Sequence, residues 1–284
     1  IDMPNLRELR SRIKSVESTS RVTNALQMIA AAKMKKAQDK VTDGRAYGQK
    51  LNSILSNFYL SNPEIFNSEE TKGSKNLVVL VTPDRGLCGA LVSNVLKSAS
   101  NYFENSNSNN EIVVIGKKGN SFISRTNDNQ STFYQVSDMP TFDEVSEVTK
   151  FIIERHSTRE FSEINIIYSE FISTAVQKAR IKKLMPIQID ENLDERVSSE
   201  FIYEPSLEEV SNALIPRYIE VNIFNAVLDS IASEHSARLV AMQNATDNAN
   251  ELKQDLTLDL NKARQQTVTS EILDIIGGAL ALEK

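Results

Sequence analysis

The sequence predicts a mixed α/β chain: a long antiparallel two-helix coiled coil formed by the N- and C-terminal helices, with a compact α/β domain between them. The first observation behind this is the run from about Leu207 to Leu282, which has no proline past Pro216 and no glycine before Gly277. Its apolar or small residues recur at Val221, Phe224, Leu228 and Ile231, and again at Met242, Ala245, Ala249, Leu252 and Leu256. That spacing, near 3.5 residues, is the heptad seam of a helix that supercoils with another. The second observation is a basic N-terminal helix of opposite charge. Residues 1–58 hold 11 Lys/Arg against 5 Asp/Glu, a balance of +6, and residues 207–284 hold 6 against 12, a balance of −6. The third is an alternation of short apolar runs with helical spacing through the middle of the chain, which implies a parallel sheet covered by helices.

The N-terminal helix runs from about residue 4 to 59. Pro4 suits its first turn, and Leu6, Leu9, Ile13 and Val16 follow at three-four-three spacing. Val22, Leu26, Ile29, Ala30 and Ala37 continue the stripe, polar Ser20 and Thr23 interrupt it, and Gly44 and Gly48 weaken the helix without ending it. Residues 61–75 are polar with Pro and Gly, hence a loop. Strands are expected at Asn76–Thr82, Glu111–Gly116, Thr132–Ser137 and Ile164–Phe171, with helices at Gly89–Glu104, Gly116–Thr126 and Asp143–His156. Continuous apolar runs such as NLVVLVT suit strands buried on both faces, so the middle domain reads as Rossmann-like. From Ser173 to Ile189 the pattern is that of an antiparallel edge strand, protected by Lys182, Lys183 and Pro186. Phe201–Tyr203 is a last short strand. Pro205-Ser206 with Glu208 and Glu209 opens the C-terminal helix, which Pro216 kinks or restarts. The expected division is therefore a helix over 1–60, an α/β domain over 75–206 and a helix over 207–284.

From Arg217 onward the last helix would be roughly 95 Å long, against a domain diameter of about 30 Å. It therefore needs partners along its length. Both long helices run into the α/β domain, so residues at equal height should have numbers summing to roughly 270 for straight helices of equal rise. Leu26 then lies near residues 238–246, and residues after about 268 have no N-terminal helix beside them. Ile272, Leu273, Ile275, Ile276, Leu280 and Leu282 are nevertheless apolar.

Composition excludes several functions. No apolar run approaches the ~20 residues of a membrane span. Cys88 is the only cysteine, so no internal disulfide forms and a reducing compartment fits. The net charge is −6, and no aromatics interleave the basic residues of the N-terminal helix, so nucleic acid is not expected as a partner. The turn Thr82-Pro83-Asp84-Arg85-Gly86-Leu87-Cys88-Gly89 stands where a phosphate loop would, but it matches neither glycine-rich pattern. Nucleotide binding is therefore not expected. His156 and His235 lie on predicted helices without a local partner, and Glu163, Glu170, Asp190, Glu191, Asp194 and Glu195 read as solvated loop charge. No catalytic residue, metal ligand or cofactor is expected.

Several stretches together resemble the γ subunits of F-type ATP synthases, the central rotor shaft. They are ELRSRIKSVESTSRVTNALQMIAAAKMKKAQ (Glu8–Gln38), TPDRGLCGALVSN (Thr82–Asn94), SEHSARLVAMQNATDNA (Ser233–Ala249) and NKARQQTVTSEILDIIGGA (Asn261–Ala279). Departures from the family pattern are Leu26, where many members carry Met, and Gln266, where a small residue is common. No cysteine-bearing insert of the plant-plastid type is present, so thiol regulation of that kind is not implied.

The resemblance implies a coiled-coil shaft inside a hexamer of α and β subunits, with the α/β domain and an ε-type subunit forming a foot on a membrane rotor ring. ATP chemistry would take place on the β subunits. The chain would sit on the cytoplasmic face of a bacterial membrane, or on the matrix side of the mitochondrial inner membrane. Positions carried over as β-contacting are Arg264, Gln265, Thr269 and Glu271 near the upper shaft, and Lys14, Leu26 and Arg238 lower down. On the residues alone these are exposed helix polarity, or for Leu26 a seam position. The alternative from another class is a cytosolic coiled-coil adaptor with an α/β ligand-binding module, which would be a stable soluble dimer.

Overall fold

The computed structural model describes residues 6–62, 73, 75–106, 109–125, 131–157, 160–187 and 203–282. In order, the elements are α1 (Leu6–Ser61), β1 (Lys75–Val81), α2 (Leu91–Asn105), β2 (Asn109–Ile115), α3 (Lys117–Ile123), β3 (Ser131–Tyr134), α4 (Phe142–Ser157), β4 (Phe161–Phe171), β5 (Gln177–Met185) and α5 (Leu207–Leu282). The strand expected at Phe201–Tyr203 lies outside the described residues except for Tyr203, which is not in a strand. The acidic positions 190, 191, 194 and 195 also lie outside them. The chain divides into two compact units, one of residues 1–29 with 239–284 and one of residues 30–238. The division into 1–60, 75–206 and 207–284 is thus one by chain segment rather than by core.

In the unit 30–238 the sheet order is β3-β2-β1-β4-β5, with β5 alone antiparallel. The first four strands run in the Rossmann-type order. Alternate side chains enter opposite cores, as the period of two requires. Val78, Leu80, Ile112, Val114 and Ile167 pack with Val95 and Ala99 of α2 and Ile123 of α3. Leu77, Val79, Val113, Ile115, Ile164 and Ile166 face the other way. There they meet Val41, Leu51 and Leu55 of α1, Val148 and Ile152 of α4, and Ile219, Ile223 and Val227 of α5. Two long helices therefore supply most of one covering layer, which explains the apolar runs of β1 and β4.

Three local expectations change. Helix α5 continues through Pro216 without restarting, because Ile215, Tyr218 and Ile219 on either side are buried against the sheet. The missing proline N–H costs one backbone bond that this packing outweighs. Lys182 is not solvent-facing edge protection: its Nζ donates to Asn222 Oδ1 of α5 at 2.7 Å, and burial pushes its pKa down. Glu163 and Glu170 are not loop charges either. Both lie on β4, where they pair with Lys183 and Arg180 of β5 at 2.6 and 2.7 Å. The start of α5 is as expected, with Glu209 N donating to Ser206 Oγ at 3.2 Å.

In the unit of residues 1–29 and 239–284, α1 and α5 pair antiparallel. Thr23 Oγ1 and Thr246 Oγ1 are 2.7 Å apart, Ser20 Oγ donates to Asn250 Oδ1 at 2.8 Å, and Lys253 Nζ donates to Glu17 Oε1 at 3.3 Å. All three pairs fall on the expected register. Ser20 and Thr23 therefore do not interrupt the seam; they are the seam. Val22 and Ile29, read as stripe residues, are exposed, and so is Leu252, while neighbouring Lys253 is half-buried.

Candidate interaction surface

In an open α/β sheet, ligands bind outside the carboxyl ends of the strands, where the strand order reverses. Here that edge is closed by the chain itself. Val227, Ser230, Ile231, Glu234 and His235 of α5 lie against the ends of β1 and β2 and the segment after β3, leaving a cavity of about 40 Å³. That is room for little more than a water molecule. The start of α3, which would otherwise attract an anion, is also spent. Asp84 Oδ1 accepts from Lys117 N at 2.9 Å, and Thr82 Oγ1 accepts from Gly119 N at 2.8 Å. Gly116 adopts φ +100, and a Cβ there would sit 1.9 Å from Thr82 O, so β2 passes into α3 only through a glycine.

Burial shifts two titratable groups at this edge. Burial pushes the Cys88 thiol up, away from the thiolate that chemistry would need. His235 has partners, contrary to its sequence reading: Arg238 Nη1 lies 3.3 Å from its Nδ1. Burial first, then the charges of Arg238 and Lys33, lower the His235 pKa to about 4, so the ring is neutral near pH 7. Arg238 also pairs with Glu234 at 2.6 Å and donates to Gly86 O at 3.1 Å. Its guanidinium is bound within its own chain and braces the Thr82–Gly89 turn. The other histidine's side chain, at 156, lies outside the described residues.

The remaining positions singled out by sequence lie in the other unit. Lys14, Arg264, Gln265, Thr269 and Glu271 are exposed, and Leu26 is half-buried. Arg264, Gln265 and Thr269 share one stretch of α5, where Thr269 Oγ1 donates to Gln265 O at 2.8 Å. Among and beyond them Val268, Ile272, Leu273, Ile275 and Ile276 are also exposed, Ile275 by 71%. Side chains from 279 onward lie outside the described residues. Among the described residues this apolar stretch has no cover, and exposed apolar patches of this kind mark sites where other molecules bind. Sequence spacing also fails to show other exposed apolar side chains. Among them are Val22, Met28 and Ile29 of α1, where the stripe spacing puts Val22 and Ile29 in the seam. Another is Leu87, held at φ +62 in the turn that Arg238 braces, for which sequence spacing carries no signal.

Comparison with known proteins identifies what such a chain belongs to. The family model described as ATP synthase matches residues 5–282. An ATP synthase gamma chain from Dehalococcoides mccartyi (strain ATCC BAA-2100) is 39% identical over 285 residues, covering 99% of this chain and 100% of that one. One from Roseiflexus castenholzii is 40% identical over 289 residues, covering 99% of each. Among solved structures, the central stalk/c-ring of the Tetrahymena thermophila mitochondrial ATP synthase matches with a TM-score of 0.61 and 25% identity, over 79% of this chain and 99% of that one. A chain of the Euglena gracilis mitochondrial ATP synthase shares the fold with a TM-score of 0.70 at 21% identity, over 98% and 94%. On the strength of its full-length match to these relatives, the chain belongs to the ATP synthase gamma chain family.

Proposed function

We propose that this chain is the central-stalk rotor subunit of an F-type ATP synthase, coupling proton-driven rotation of a membrane ring to ATP synthesis and hydrolysis on the β subunits of an α/β hexamer. The observation that carries it is the bare apolar stretch of α5 from Val268 to Ile276, which needs a sleeve made by other chains. The role is mechanical. Each shaft orientation has a different affinity for each β conformation, and that difference is the coupling free energy. Arg264, Gln265, Thr269 and Glu271, with Lys14 and Leu26, are the residues we assign to contacts with β. Arg238, bound to Gly86 and Glu234, acts there through the turn it braces. The chain is non-catalytic in this reading, which the filled strand-end crevice supports. The unit 30–238 serves as the foot, with an ε-type subunit, on the membrane ring. No helix among the described residues is long and apolar enough to cross a membrane, in keeping with peripheral attachment, at the cytoplasmic face of a bacterial membrane given the bacterial relatives.

Coexpression with hexamer α and β subunits tests this. The chain is expected to copurify with both, the complex to hydrolyse ATP, and the chain alone to show no activity. A chain truncated after Ser270 is expected to be more soluble by itself and to support less turnover in the complex. A stable homodimer without affinity for the hexamer would favour the adaptor instead.

A further inference from the structure

Two glycines in the middle of α1 have no role in a free helix, where each weakens the backbone. In the unit 30–238, Gly44 and Gly48 face α5. A Cβ on Gly44 would lie 2.5 Å from Asn225 Oδ1, and a Cβ on Gly48 would lie 2.7 Å from Asn225 Nδ2. The Asn225 amide thus fills the space both glycines leave. Its Nδ2 also donates to Gly44 O at 3.1 Å, using the second lone pair of a helical carbonyl. Residues four apart share a helix face, so the two glycines form a notch about one turn long.

We propose that Asn225 seated in the Gly44–Gly48 notch is a register key, which keeps α1 and α5 from sliding along each other so that they turn as one body. This rests on the rotor reading, because a helix pair that transmits torque is sheared along its seam. Buried packing of α1 on α5 resists sliding too, but the polar contacts beside the notch are more compliant. Arg45, which reaches Asp229 and Phe171 O, and Arg217, which reaches Tyr47, are long and can follow a displacement. Asn225 is shorter and seated between the two glycines: a slide of one turn, about 5.4 Å, would bring it against Val41 or Leu51, which carry the Cβ atoms the notch lacks.

The test uses the assembled complex in sealed vesicles, with the thermal midpoint of the full chain measured alongside. In an open helix Gly44→Ala would raise the midpoint; against Asn225 it is expected to lower it by about 5 °C. Asn225→Ala removes the clash, so the double variant Gly44→Ala with Asn225→Ala is expected to return to the parent midpoint. Protons pumped per ATP hydrolysed should nevertheless fall about twofold or more in both Asn225→Ala and the double variant. Parent-like pumping per ATP in the double variant would make the notch a packing detail and overturn the key. Failure of the rotor reading looks different: the parent chain itself would not assemble with α and β subunits or support pumping.

Discussion

At the scale of single residues, two buried titratable groups pull stability in opposite directions as pH falls. His235 is held neutral in the fold, with its pKa lowered to about 4. The unfolded chain therefore takes up a proton between pH 6.5 and 4 that the fold refuses, and stability is lost on acidification. Asp229 faces Arg45, Glu170 and Lys182, and burial raises its pKa from 3.8 to about 6. Here the fold takes up the proton first, so stability grows as pH falls through 6 and is complete below 3.8. Each effect amounts to a few kcal/mol at about 1.4 kcal/mol per pKa unit, and the two oppose each other. Relative to the parent, His235→Gln is expected to gain stability between pH 6.5 and 4, and Asp229→Asn to lose it. Urea midpoints across that range read the sign, and parallel slopes for the two variants would contradict it. Part of this site was legible: Glu234, His235 and Arg238 stand at helical spacings of three and four. What no spacing reveals is that β1 and β2 end against the same face of α5.

At the scale of elements, strands and helices were readable because burial repeats with their periods, and boundaries moved by only a few residues. The seam of the helix pair was misread for a physical reason. A hydrophobicity pattern assigns Leu252 and Val22 to the interior and Thr246 and Thr23 to the surface, yet the seam keeps a hydrogen-bonded threonine pair. Thr246 Oγ1 also donates to Met242 O at 2.8 Å, so each hydroxyl is satisfied without water. Replacing both partners by an apolar residue of the same shape removes the desolvation cost and strands no donor. Thr23→Val with Thr246→Val is therefore expected to raise the stability of the helix pair by about 1 kcal/mol, read as a higher thermal midpoint. A drop would show that the hydroxyls bind the helices together more strongly than matched methyls do.

At the scale of the whole molecule, function was legible mainly through the terminal helices, whose stretches carry the family resemblance and where, among the described residues, an apolar surface is left bare. The proposed coupling contacts sit just below that surface. Arg264 and Gln265 are exposed on α5, and exposed side chains of this kind contribute within about 0.5 kcal/mol to folding. Once desolvated against another subunit, the arginine fork can hold a carboxylate or carbonyl, and truncating such a contact costs about 2–5 kcal/mol. Arg264→Ala with Gln265→Ala is thus expected to leave the thermal midpoint of the isolated chain and its assembly nearly unchanged. ATP turnover per assembled complex should change severalfold, because the relative energies of the shaft orientations change. The opposite result, a large fall in midpoint with parent-like turnover, would assign both residues to the shaft's own packing and remove them from the coupling surface.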